Sequence, residues 1–218
     1  MTGKLNVHAA CYLLTYLNMM NKKKTKKKNS WGSIAAAIFV VVFVLFFQDK
    51  DKSGKDRSAN PANPPNLANA LTIKGQCVSV TDGDTLDVKP ADGSGRMKIR
   101  VLGIDTMETY NERKMKTQAK KFNVTQATVR RWGNEAKNVT NTMCYKKQVS
   151  LIFPLGTVEK DDYDRYLCYV EVGGQDLSQA LLETGLAEAR REPHARKSMY
   201  KAAADEARHE KRGIYKQL

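Results

Sequence analysis

Residues 74–90 read KGQCVSVTDGDTLDVKP. Two alternating, β-branched runs, KGQCVSV and TLDVKP, flank the turn residues TDGD at 81–84. Asp-Gly between such runs is a strong hairpin signal, because the turn needs backbone angles that these residues accept. ADGSG at 91–95 supplies a second turn, and RMKIRVLGI at 96–104 a third strand. Three consecutive strands joined by short turns predict an antiparallel meander.

Beyond the meander the period changes. Over 110–147, Trp132, Ala136, Val139 and Met143 fall at near-helical spacing, which predicts a helical stretch. QVSLIFP (148–154) and RYLCYVEV (165–172) return to strand character, joined by the acidic turn VEKDDYD. Gly173 and Gly174 break the last strand. Asp176 is placed to cap a helix that carries Leu177, Ala180 and Leu181 on one face. A final helix spans about Lys197 to Lys211 and stops at Gly213. The order βββ-α-ββ-α-α predicts an α+β fold, an OB-type five-stranded barrel with three or so helices, an architecture that often binds nucleic acid.

The segment before the barrel reads differently. Residues 1–70 carry a formal charge of +8 and residues 71–218 one of +6. Residues 1–30 are basic, with the lysine block NKKKTKKKN at 21–29, and WGSIAAAIFVVVFVLFF at 31–47 is 17 residues without a charge. That length is short for a membrane span and long for a signal-peptide core. No small-x-small cleavage site comes after Phe47, so an uncleaved anchor is expected, with a cleaved signal as the alternative. In either case the lysines stay in the cytoplasm and the chain beyond Phe47 is exported. Met20 is read as the translation start, since the lysine block directly after it makes a normal signal N-terminus. Residues 48–70, polar and Pro/Asn-rich, read as a flexible linker, which leaves 71–218 as the folded domain.

The cysteines Cys11, Cys77, Cys144 and Cys168 form no CxxC pair, so no zinc site is expected. Cys77 and Cys168 read as buried free thiols in strands, with a disulfide between them open in an oxidising compartment.

Four acids stand at strand ends: Asp82, Asp84, Asp105 and Glu108. Taken singly, each is satisfied as a turn residue. Two arginines change the reading. Arg100 sits inside an apolar strand, and Arg165 opens another. A charged side chain in such a run is seldom buried without a partner. Carboxylates and a carbonyl hold a hard divalent cation, Ca²⁺ or Mg²⁺. Guanidiniums grip phosphate with forked hydrogen bonds, and a further carboxylate activates water. Arg100 and Asp105 are five residues apart, which puts them on opposite faces of an ideal strand. A bulge or bend near Gly103 is needed to bring them together.

VTDGDTLDV, IRVLGIDTMET and DDYDRYLCYV, in that order, followed by ALLETGLAEAR and GIY, resemble the staphylococcal nuclease (thermonuclease) family over about residues 72–216. The resemblance implies a monomeric OB barrel that hydrolyses DNA and RNA, single-stranded or frayed by preference, with Ca²⁺ as cofactor, leaving 3′-phosphate ends. It implies that Asp84 and Asp105 ligate calcium with the Thr106 carbonyl, and that Asp82 stands near the metal behind them. Glu108 is then the general base, Arg100 and Arg165 bind the phosphate and stabilise its developing charge, and Tyr163 contacts substrate. The alternative is a non-catalytic OB-fold module that binds nucleic acid or protein. Against it, the three acids, the base and both arginines are all present.

The chain also departs from the family pattern. Met107 stands where the family usually has Pro, which implies a looser Glu108 loop. Asp162 and Asp164 replace Lys and Gly around Tyr163, which implies weaker binding of a terminal phosphate at Arg165. EARREPH at 188–194 stands where the family has base-flanking tyrosines, with Arg190 and Arg191 as substitutes by charge. KFNVTQATVRRWG at 121–133 mimics the recognition helix of a helix-turn-helix. With no partner helix evident, it is read as a basic helical insertion that borders the cleft and touches the substrate backbone.

Overall fold

In the computed structural model, residue 67 and residues 69–217 are described. The basic segment, the apolar run at 31–47, the start at Met20 and most of the linker lie outside the described residues. Among the described residues no helix is long and apolar enough to cross a membrane.

Strand β1 (Leu71–Asp82) is long enough to serve two neighbours. Its first half pairs antiparallel with β5 (Gln148–Phe153), and from Gly75 onwards it pairs with β2 (Thr85–Pro90). Register shifts between Cys77 and Ser79 and between Val80 and Asp82 bend it between the two partnerships. The β1–β2 hairpin closes with Asp82 opposite Thr85, so Gly83 and Asp84 form the turn foreseen from the sequence. Strand β3 (Met97–Val101) pairs with β2. Strand β6 (Tyr166–Val172) pairs antiparallel with β5 and parallel with β3, and the second of these pairings shuts the sheet into a five-stranded barrel. Alternate residues point inward and fill it, among them Leu86, Val88, Ile99, Leu151, Cys168 and Val170. Cys77, Cys144 and Cys168 are all buried free thiols.

Two sequence expectations are corrected. The third strand does not run through to Ile104. It stops at Val101, turns at Leu102–Gly103, and restarts as the short β4 (Ile104–Thr106), which pairs with β8 (Ala187–Ala189). Gly103 adopts φ +79°, and a Cβ there would lie 2.7 Å from Tyr200 and His194 ring atoms, so both the turn and the packing demand glycine. The stretch 110–147 is two helices rather than one: α1 (Glu112–Phe122) and α2 (Gln126–Cys144). Asn123 ends α1 in the left-handed conformation at φ 52°, and the Thr125 side chain caps α2 by accepting from the Thr128 amide. The expected missing partner helix is therefore present.

With α3 (Leu177–Glu183) and α4 (Lys197–His209), the described residues hold four α-helices, plus the two-residue β7 (Gln175–Asp176) and a 3-10 turn at Gly213–Gln217. The Asp176 side chain caps α3 as expected, by accepting from the Gln179 amide. A second apolar cluster lies outside the barrel. It joins Met107 to Met115, Ala119 and Phe122 of α1, Val129 and Trp132 of α2, Ala207 of α4, and Ile214 and Tyr215. That cluster fixes the two-helix insertion against the loop after β4.

Candidate active site

The eight residues singled out in the sequence, Asp82, Asp84, Arg100, Asp105, Thr106, Glu108, Tyr163 and Arg165, all line one concavity of about 500 Å³. The β1–β2 turn delivers Asp82 and Asp84, and β3 delivers Arg100. After the Gly103 turn, β4 delivers Asp105 and Thr106. The break in the third strand thus does what the five-residue spacing required: it swings Asp105 back to Arg100.

Arg100 is buried between two acids. Nη1 lies 2.7 Å from Asp84 Oδ2, and Nη2 donates to Asp105 Oδ1 at 2.8 Å and to the Ile104 carbonyl at 3.0 Å. Asp84 also accepts from the Thr106 amide at 2.8 Å and from the Thr85 hydroxyl at 3.2 Å. Asp82 accepts from the Asp84 amide at 3.3 Å. Burial, and then the Asp84 charge, push the Asp82 carboxyl up to about 7, and the same two causes raise Asp105. Arg100 offsets part of the repulsion between these carboxylates, and at Asp105 so do Arg190 and Lys114. Two carboxylates and a backbone carbonyl, with a third carboxylate behind them, are hard oxygen donors that suit Ca²⁺. Among the described residues no trio of His, Cys, Asp or Glu side chains forms a metal site by itself.

Glu108 is held from behind. Its Oε1 accepts from its neighbours' amides, Thr109 at 2.9 Å and Tyr110 at 3.2 Å, while Oε2 lies 3.8 Å from Lys114 Nζ of α1. The loop that carries it is not slack. Met107 is 1% exposed in the second apolar cluster. Gln118 of α1 spans the loop, accepting from the Glu108 amide at 2.9 Å and donating to the Thr106 carbonyl at 3.4 Å. A Cβ on Gly133 of α2 would lie 2.5 Å from the Met107 carbonyl, so only glycine lets α2 approach so closely. Burial and a side-chain bridge hold the loop where the family has the ring stiffness of proline.

Arg165 is tied by Asp161, not by the two acids that raised concern. Its Nε and Nη2 meet Asp161 Oδ2 at 2.8 and 2.6 Å, and Nη1 reaches the Thr85 hydroxyl at 3.4 Å. Asp164 turns away to Lys160 at 2.6 Å, and Asp162 is exposed. The Asp164 backbone sits at φ 60°, the conformation that the family's glycine accepts freely. Tyr163 is 77% exposed, with the Arg165 guanidinium 5.3 Å from its ring centroid. Arg190 lines the same concavity and is paired with Glu192 at 2.6 Å.

Sequence reasoning missed Gln118, Arg113, Lys114 and Thr117, which line the concavity from α1. The signal was a helix boundary. Once α1 starts at Glu112, Arg113, Lys114, Thr117 and Gln118 fall on one face at i, i+1, i+4 and i+5.

A closed barrel with acids and guanidiniums facing one cleft has the donor set of phosphodiester chemistry. The chain belongs to the staphylococcal nuclease homologue family, whose pattern matches residues 98–217. It is 31% identical over 165 residues to a thermonuclease of Staphylococcus hyicus, covering 75% of this chain and 82% of that protein. It is 27% identical to a thermonuclease of Staphylococcus intermedius over 164 residues, with the same coverage. An uncharacterized protein of Methanocaldococcus jannaschii is 32% identical over 122 residues, covering 52% of this chain and 57% of that one.

Proposed function

We propose that the protein is a calcium-dependent nuclease that hydrolyses phosphodiester bonds of DNA and RNA and leaves 3′-phosphate ends. The observation that carries this reading is the convergence of Asp84, Arg100, Asp105, Glu108 and Arg165 on one cleft. The Asp84 and Asp105 carboxylates and the Thr106 carbonyl hold the cation, with Asp82 behind them. When bound, Ca²⁺ supplies positive charge beside the scissile phosphate and its attacking water.

Glu108, fixed through Oε1 by two amides, keeps Oε2 to take a proton from water. Arg100 and Arg165 already present guanidinium nitrogens to carboxylates in the cleft, Arg100 to Asp84 and Asp105 and Arg165 to Asp161, and a phosphate oxygen replaces part of those partnerships. Their fixed positive charge then favours the extra negative charge of the transition state. Tyr163, exposed beside Arg165, offers an apolar face to the sugar or base of the bound strand. Arg113 and Lys114 add positive charge along the α1 wall for the backbone on either side. The lysine block and apolar run at 22–47 support export, with this domain outside the cytoplasm.

The test is incubation of the protein with single-stranded DNA and with RNA, in Ca²⁺ and in chelator. Cleavage in Ca²⁺ alone is expected, and Glu108→Gln is expected to lower turnover by about 10²–10⁴. Equal activity of parent and variant removes Glu108 from the mechanism, and absence of calcium-dependent cleavage removes the nuclease reading.

A further inference from the structure

The cleft does not account for α2. Residues 112–144 carry eight Lys and Arg against two Glu, so this two-helix unit holds the whole +6 of residues 71–218 and the rest of the domain is neutral. Such concentration on one small unit points to a polyanionic partner.

The unit has the connectivity of a helix-turn-helix. Its two helices are joined by three residues, with Asn123 left-handed in the turn and Thr125 capping the second helix. Ala119 is small where the helices pack. Val124 seals the turn onto the same cluster, and Val129 and Trp132 are 0% and 3% exposed. Trp132 meets Phe122 edge-on with centroids 5.9 Å apart. The apolar positions of KFNVTQATVRRW are thus spent on holding the two helices together. What remains outward on the first turns of α2 is Gln126, Ala127, Arg130, Arg131, Asn134 and Glu135, all exposed, with Arg131 3.9 Å from Glu135 and Arg130 in no ion pair among the described residues.

We propose that α1 and α2 dock on duplex DNA, with the exposed face of α2 in the major groove. A helix is about 10–12 Å across and the groove about 12 Å wide. Arginine reads guanine edges, and glutamine and asparagine read adenine edges, while Ala127 leaves room for close approach. A single strand would call for a row of stacking rings, and the exposed face of α2 carries none of its own, with exposed Tyr110 beside it at the edge of the cleft. This face adjoins the cleft. Arg130 and Asn134 share a hollow of about 390 Å³ with Thr109 and Tyr110, whose amides hold Glu108. A duplex held there presents its backbone beside the cutting site.

The test is binding by the full chain, in chelator, of a fluorescent 20-base-pair duplex and of its single strand, across a salt series. In chelator the proposed cleavage is silent, so the result stands apart from the nuclease reading. Arg130→Ala with Arg131→Ala is expected to weaken duplex binding on the order of tenfold and to lower the log–log salt slope by about 1–2. Single-strand binding should change much less. Lys197→Ala with Lys201→Ala on α4 should leave duplex binding within about twofold of the parent. Unchanged duplex affinity in the arginine variant overturns the proposal. So does an equal loss for duplex and single strand, which marks the arginines as general charge, and so does an equal loss in the α4 control. Unaltered melting of the arginine variant confirms that its fold is intact.

Discussion

The guanidinium of Arg100 lies 2.7 Å from the Asp84 carboxylate, and each side chain is only 8% exposed. The same guanidinium also holds the half-exposed Asp105 at 2.8 Å. Breaking a buried ion pair from one side leaves an uncompensated charge, which costs about 3–5 kcal/mol. Arg100→Met, similar in length and uncharged, is therefore expected to lower the melting temperature at pH 8 in chelator. The deficit should shrink when Ca²⁺ is added, because the cation replaces the missing charge. Thermal denaturation of parent and variant in both conditions checks this, and an equal deficit in each means that the acids do not share a cation.

Asp82 offers the complementary change. Its carboxyl is pushed up to about 7 in the fold from an ordinary 3.8, by burial and by Asp84. Between those two values the folded state binds the proton that the unfolded state has lost, so metal-free stability falls as pH rises through the window. Asp82→Asn keeps an oxygen that accepts from the Asp84 amide and removes the charge. In chelator the variant should gain stability over the parent as pH rises from about 4 to 7, and hold that gain above 7. In Ca²⁺ the advantage should narrow or reverse. Melting curves across pH, with and without Ca²⁺, supply both readouts.

Gln118 joins α1 to the loop of Glu108. Gln118→Leu keeps the volume but removes the acceptor for the Glu108 amide and the donor to the Thr106 carbonyl. A net hydrogen bond contributes about 1 kcal/mol, and a misplaced base costs rate more than affinity. The expected result is faster hydrogen exchange at the Glu108 amide, a fall in kcat of about tenfold, and little change in KM. Unchanged exchange at that amide shows that Met107 burial and the close approach at Gly133 hold the loop unaided.

The hairpin around Gly83 and the barrel strands were legible because each is local: a turn dipeptide or an alternating run. The acids and arginines stood out at strand ends, while Thr106 and Tyr163 were singled out only through the family resemblance, and the structure brings all eight to one concavity. The Gly103 break was legible as a necessity, since Arg100 and Asp105 could not otherwise meet. The loop 106–108 was not. Its order comes from Gln118, ten residues on, and from Met107 in the apolar cluster that also holds Trp132 and Tyr215, a cluster that exists only once two helices and the C-terminal turn have docked. The split at Asn123 was hidden for a related reason. The helical period continues on both sides, and only a left-handed residue without a glycine marks the turn. At Arg165, neighbouring acids suggested interference, but backbone direction decides which acid reaches it, and that acid is Asp161.

His194 packs against the Gly103 turn and sets an acid sensitivity of its own. Its Nδ1 is 3.1 Å from the Tyr169 hydroxyl, which already accepts from the Arg196 amide, while its Nε2 is buried without a partner. Burial and then Lys197 hold the imidazole below its ordinary 6.5, against the opposite pull of Glu192 and Asp176. As pH falls past 6.5 the unfolded chain takes up a proton that the folded protein resists, so stability drops until the folded pKa is reached and then levels off. Protonation also turns Nδ1 into a donor facing a hydroxyl that now has to accept twice. Arg196, buried and paired with Asp176 at 2.6 Å and Glu171 at 2.7 Å, adds fixed positive charge close by. His194→Phe keeps a ring against Tyr169 and Tyr200 and cannot titrate. The variant starts from a lower melting temperature at pH 8, because the Tyr169 hydroxyl loses its acceptor. Its melting temperature should then fall less than the parent's between pH 7 and pH 5. Parallel curves for the two proteins over that interval place the acid sensitivity on other groups.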